Sequence, residues 1–191
     1  MKRLLFLFFV LFSVNAWAQP GTLILSAEGK YLFYQVIEAP GLSADSLASH
    51  AKQFFRQQKK ELELSKTEAD TAFHGKGKLV LSKIASFVTH PSAEVTYTIT
   101  LEIKNGKYRY WLTDFVISPY MRDRYGNFVP AGNSYPLEKT PTKLDAAEWK
   151  GYISSTEIQC NKVAARLKEV MLVAKKALPV DSEKKAIPEK W

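Results

Sequence analysis

Residues 95–117, VTYTITLEIKNGKYRYWLTDFVI, constrain this chain more than any other stretch. Two alternating runs flank Asn105-Gly106, a preferred two-residue link of a β-hairpin in its type I′ form. Such a turn fixes the register. Lys104 then faces Lys107, Ile103 faces Tyr108, Glu102 faces Arg109, Leu101 faces Tyr110, Thr100 faces Trp111 and Ile99 faces Leu112. One face of the ribbon becomes Val95, Tyr97, Ile99, Leu101, Ile103, Tyr108, Tyr110 and Leu112, a core face. The other carries Thr96, Thr98, Thr100, Glu102, Arg109, Trp111, Thr113 and Phe115, polar apart from two aromatics. This register also sends Asp114 toward the core, so a bulge or a strand end is expected there.

The flanking segments extend the pattern. Tyr31–Glu38 (YLFYQVIE) is aromatic and β-branched, reads as a strand, and is stopped by Pro40-Gly41. A helix follows, with Ser43 as cap and Leu42 and Leu47 at the staple positions around it. Ala48, Ala51, Phe54, Phe55 and Leu62 continue an apolar stripe at helical spacing, while His50, Lys52, Arg56 and Lys59 face out. Leu62–Glu68 and Phe73–Lys83 alternate as strands. In the second, Phe73, Gly75, Gly77, Leu79 and Leu81 share one face, and His74, Lys76, Lys78 and Val80 the other. Ile84–Ser92 reads as a connection.

Ser118–Thr142 contains four prolines and several aromatics. Irregular connections of this length are usually functional or disordered, and the aromatics argue against disorder. Leu144–Trp149 reads as a short helical turn. Ile153–Leu178 reads as a long helix whose stripe includes Cys160, Val163, Ala164, Leu167, Val170 and Met171, ended by Pro179. The order is β-α-β-β-β-β-α. Runs of antiparallel strands with segregated helices make this an α+β chain, its helices packed on one sheet face and the other face polar.

Residues 1–18, MKRLLFLFFVLFSVNAWA, form an address. Lys2 and Arg3 precede an unbroken apolar run, and Ala16-Trp17-Ala18 offers a small-x-small cleavage site. The apolar run is too short to span a bilayer. Cleavage after Ala18 leaves a chain beginning at Gln19. Loss of Lys2 and Arg3 lowers the net charge from +8 to +6. The expected organisation is a signal peptide over 1–18, one domain over 19–178 and a charged tail over 179–191. Export places the protein in the periplasm or outside the cell.

The segment EGKYLFYQVIEAPGLSADSLASHAKQFF (residues 28–55), the GKGKL stretch and the Asn105-Gly106 hairpin together resemble a bacterial family, the domain of unknown function numbered 4468. The resemblance covers residues 28–115. Where that family commonly has a Trp in the first helix, this chain has Phe54-Phe55. The resemblance implies a TBP-like fold, secretion into the bacterial envelope and no established activity, and it supplies no catalytic residues.

Reactive chemistry finds little material. One Cys excludes a disulfide framework and a multi-Cys metal site, and its place on the last helix stripe makes Cys160 a small buried hydrophobe. His50, His74 and His90 are scattered, so no metal site is expected. HGKGK lacks the P-loop spacing, and no Gly-x-Ser-x-Gly elbow is present. Nothing calls for a cofactor. Two classes of function remain. One is a non-enzymatic envelope binding module. The other is an envelope hydrolase with a cleft formed by residues 118–142.

The candidate binding residues are Arg109, Trp111 and Phe115 on the outer hairpin face, with Lys76 and Lys78 beside them. Tyr120, Arg122, Arg124, Tyr125, Phe128 and Tyr135 of the long connection flank that face. The expected partner is an anionic envelope polymer, a lipid headgroup or an acidic protein. DNA is not expected, because export separates the chain from it.

Overall fold

Asn105-Gly106 joins the two longest strands of a computed structural model that describes residues 21–85, 88–139 and 146–173. The leader 1–18, the tail 179–191, and residues 140–142 and 174–178 of the expected connection and helix lie outside the described residues. Ten elements follow in chain order: β1 (Leu23–Leu25), β2 (Tyr31–Glu38), α1 (Ala44–Gln57), β3 (Leu62–Glu68), β4 (Ala72–Ala85), β5 (Val88–Lys104), β6 (Lys107–Arg122), β7 (Phe128–Pro130), β8 (Tyr135–Pro136) and α2 (Ala146–Met171). The strands form one antiparallel sheet in the order β1-β2-β6-β5-β4-β3, with β7 and β8 paired to the far part of β6. The described residues include no helix long and apolar enough to cross a membrane.

The β5–β6 register matches all six predicted pairs, but the turn is not type I′. Gly106 has a left-handed φ of 72°, whereas Asn105 is not among the residues with positive φ, and type I′ needs both. The turn is docked on the β2–α1 loop. Asn105 Oδ1 accepts from the Ala44 N–H at 2.9 Å, satisfying an early amide of α1. Gly106 donates to the Leu42 carbonyl and accepts from the Ala39 N–H. At the cap itself, Ser43 Oγ accepts from the Ser46 N–H at 3.2 Å.

The bulge expected at Asp114 is present. Thr96 pairs with Val116 and Thr98 with Thr113, so Tyr97 stands opposite both Asp114 and Phe115. Asp114 takes a φ of 54° and turns outward, where it meets Lys30 Nζ at 2.6 Å. The extra residue reverses the alternation beyond it. Phe115 is thereby carried into the core at 0 % exposure, beside Tyr97, and Ile117 follows it. Expelling Asp114 and burying Phe115 are one event, so Phe115 does not belong to the outer face.

Both helices cover one face of the sheet. Leu47, Ala51, Phe54 and Phe55 of α1 and Trp149, Tyr152, Cys160, Val163, Leu167 and Met171 of α2 close over Phe33, Phe73, Leu81, Ile99, Leu101, Tyr110 and Leu112. Gly75 of β4 lets α1 approach. A Cβ on Gly75 would lie 2.7 Å from the Phe55 ring and 2.8 Å from the Glu63 carbonyl oxygen. The last helix starts at Ala146 rather than Ile153, absorbing the separate turn read from the sequence. Gly151 does not break the helix: its site is open, and a lone helical glycine costs only about 1 kcal/mol. Trp149 makes edge contacts with Tyr135 and Tyr152, anchoring the added turns.

The 118–139 stretch is not an irregular loop. β6 continues to Arg122, then turns back as β7 and β8. Residues 84–85 and 88–92 of the expected connection likewise belong to the far end of the paired strands β4 and β5, with a bulge between Leu81 and Ser82. Neither extension follows from local alternation, because prolines at 91, 119, 130 and 136 interrupt it.

Candidate functional site

The sheet face opposite the helices is graded in character, and strand order sets the gradient. On β2, Leu32, Tyr34 and Val36 alternate with core-facing residues, and Ile24 of β1 adds to them. Tyr34 is 41 % and Val36 49 % exposed. Tyr34 pairs with Trp111 and Val36 with Arg109, so β2 brings its apolar residues against the hairpin. Trp111 is half-buried. Neither the N-terminal segment, which forms an edge strand, nor the 118–139 stretch, which pairs at the far end of β6, is placed over it.

Arg109 is held in place. Its Nε donates to Glu102 Oε2 at 2.6 Å, and its guanidinium carbon lies 5.7 Å from the Trp111 ring centroid. The hydrogen bond and charge of Glu102 raise the Arg109 pKa further, so the guanidinium stays charged. Two rows over, His74 Nδ1 is 3.1 Å from Thr100 Oγ1 and its Nε2 is 3.8 Å from Glu68. A hollow of about 450 Å³ opens beside Arg109, lined by Tyr34, Val36, Glu102, Lys104 and Lys107 among others.

Lys76 and Lys78 sit on the opposite half of the face, where β4 approaches the sheet edge. With Lys59 and Lys60 of the α1–β3 turn they line a second, polar cleft of about 530 Å³. The remaining candidates lie elsewhere. At the β6–β7 turn, the Asp123 carboxylate accepts from the Tyr125 and Asn127 N–H groups, both at 2.8 Å. These bonds, Asn127 foremost, hold its pKa below the usual carboxylate value. Arg122 stacks on Phe128 at 4.9 Å, His90 packs on the same ring, and Arg124 lies over Tyr125. Tyr125 is 74 % exposed. Tyr120 is half-buried, its phenol pushed up first by burial and then by Glu94. Tyr135 is half-buried and packs edge-on against Trp149 at the margin of the core.

The eleven sequence candidates therefore do not form one site. Arg109 and Trp111 share one half of the open face, Lys76 and Lys78 the other, and Arg122, Arg124, Tyr125 and Phe128 the distal turn. Phe115 belongs to the core, Tyr135 packs half-buried against it, and Tyr120 lies half-buried on β6 where it pairs with Pro130 of β7. Sequence reasoning missed Tyr34 and Val36, although the alternation of YLFYQVIE holds them on one face. What it lacked was the β2–β6 pairing. It also left Lys59 as a solvent-facing helix residue and did not consider Lys60.

Cys160 is the reverse case. It is buried as expected, and burial, with a smaller effect of Glu157, pushes its thiol up to about 12. Among the described residues no three His, Cys, Asp or Glu side chains are grouped to hold a metal.

Comparison with known proteins supplies the fold family. No curated protein matches the chain. A TBP-like protein from Parabacteroides distasonis ATCC 8503 superposes with a TM-score of 0.59 at 12% identity, over 78% of this chain and 97% of that one. A DUF4468 family protein from Bacteroides ovatus ATCC 8483 gives a TM-score of 0.60 at 13% identity, over 85% of this chain and 95% of that one. At such identities the likeness is one of fold, and fold does not carry function. Residues 33–118, from β2 to the far part of β6, match the family model of DUF4468, a domain of unknown function with TBP-like fold.

Proposed function

We propose that this chain is a non-enzymatic binding module of the bacterial envelope, which recognises an acidic protein through the open face of its sheet. The observation that supports this most is the exposed stripe of Ile24, Tyr34 and Val36 running up to Trp111. Folding gains nothing from leaving large apolar side chains in water, and a contiguous exposed patch marks an interaction surface. An apolar centre rimmed by charge is the anatomy of a protein interface. Lys104 and Lys107 supply the rim, and the net charge of +6 left after cleavage at Ala18 steers acidic partners toward the chain. Glu102 already satisfies Arg109, which leaves Lys104 and Lys107 as the rim charges that an acidic partner would meet. Export rests on Met1–Ala18. The hydrolase alternative placed its cleft in residues 118–142, of which 118–139 are largely β-hairpin.

The test is truncation of the anchor. Removing a buried interface aromatic costs about 2 kcal/mol or more, roughly 30-fold in affinity. Wild type and Trp111→Ala would be used as bait on an envelope fraction of the host. An acidic protein retained by wild type and lost from the folded variant is the expected outcome. Retention of the same partners by Trp111→Ala, or binding only to phospholipid, refutes the proposal.

A further inference from the structure

We infer that the polar cleft at the β3–β4 edge is a second binding site, for a ligand carrying two or more closely spaced phosphoryl charges. This does not rest on the protein-recognition surface, which occupies the other half of the face. The cleft, of about 530 Å³, has a volume typical of small-molecule sites. Its walls are fixed by backbone. The Lys78 N–H donates to the Glu61 carbonyl at 2.9 Å, and the Glu61 and Leu62 N–H groups both donate to Gln58 at 2.8 Å. The turn bearing Lys59 and Lys60 is thus tied to the strand bearing Lys76 and Lys78. The latter two project from the same face of β4, about 7 Å apart along the strand.

The carboxylates around the cleft are mostly engaged. Asp114 is paired with Lys30 at 2.6 Å and Glu61 with Arg166 at 3.0 Å, while Lys78 lies 3.9 Å from Glu94. Among the described residues Lys59, Lys60 and Lys76 have no ion-pair partner, and the one lining carboxylate outside such a pair is Glu63. Lys59, Lys60 and Lys76 all line this one hollow, and like charges gathered around a hollow favour an anion within it. Lysine binds phosphate as a point charge without needing bidentate geometry, and a single carboxylate would leave most of the positive charge unanswered.

Titration calorimetry of the full chain with inorganic pyrophosphate at low ionic strength tests the site. Wild type should bind. Lys59→Gln/Lys76→Gln should bind at least ~10-fold more weakly, while Lys59→Arg/Lys76→Arg retains binding. Lys66→Gln, which removes a lysine paired with Glu68 outside the cleft, should leave it unchanged. Trp111→Ala should also leave it unchanged, which separates failure of this site from failure of the protein-recognition surface. The lysine substitutions are at exposed side chains, and circular dichroism confirms the fold of every variant. Flotation with phosphatidylglycerol vesicles identifies the source. Co-flotation displaced by pyrophosphate supports a lipid headgroup, and pyrophosphate binding without co-flotation supports a soluble ligand. No pyrophosphate binding by wild type, equal binding by the double Gln variant, or equal weakening by Lys66→Gln would overturn the inference.

Discussion

Phe115→Ala tests the bulge that decides which aromatics remain on the open face. In an unbroken register Phe115 stands beside Trp111 toward solvent, and its truncation would change stability by no more than about 0.5 kcal/mol. In the structure it is 0 % exposed, its ring centroid 6.2 Å from that of Tyr97. Truncating a buried Phe removes its transfer energy and leaves a cavity, together about 3–5 kcal/mol. With a urea slope of about 2 kcal/mol/M for a domain of this size, the midpoint should fall by roughly 1.5–2.5 M. Equilibrium urea unfolding followed by far-ultraviolet circular dichroism measures it. A fall below ~0.5 M at unchanged slope would refute the reasoning and return Phe115 to the surface. Asp114→Val should also destabilise, because a β-branched residue resists the left-handed φ of 54° that the bulge requires.

Other consequences follow from packing and protonation. Gly75→Ala should destabilise by about 1–3 kcal/mol, since the new methyl meets the Phe55 ring and the Glu63 carbonyl; an unchanged thermal midpoint would mean that α1 sits farther from β4. Cys160, buried with its thiol pushed up to about 12, should label with a maleimide only on unfolding, and rapid native-state labelling would mean that α2 is detached. The Asp123 carboxylate is held below its usual pKa by bonds from the folded turn. Its contribution to the β6–β7 turn is therefore present above the unfolded carboxylate value and lost as pH falls through the folded one. Amide exchange at Tyr125 and Asn127 should accelerate in that acid window, and the acceleration should be absent in Asp123→Asn.

Local patterns in the sequence carried much of the fold. β2 and β3 have the bounds read from alternation, the hairpin register is as the turn dictates, and Ser43 caps α1. Asp114 in a core-facing slot signalled the bulge, because an unpaired carboxylate is not tolerated there. The consequence for Phe115 required carrying the shift one residue further. The turn geometry was not legible, because Asn105 is conscripted by α1, more than sixty residues away in sequence. The candidate face was half legible for the same kind of reason. Trp111 and Arg109 were assigned from their own hairpin, whereas Tyr34 and Val36 reach them through β2–β6, a pairing between segments separated by α1, β3, β4 and β5. Lys59 reads as a solvated helix residue from the sequence, because the bond that ties its turn to β4, from the Lys78 N–H to the Glu61 carbonyl, joins distant segments.

Site-specific photo-crosslinking tests the central claim, that the open face recognises a protein, most directly. A photoreactive residue would be placed at Tyr34, at Val36 and, as the control, at Ile158, an exposed apolar position on α2. After ultraviolet exposure in the host, the crosslinked species would be identified by mass spectrometry. Recognition through the open face predicts one acidic protein joined at Tyr34 and Val36 and absent at Ile158. The same adduct at Ile158 with none at Tyr34 or Val36 would place the interaction on the helical side and contradict the account.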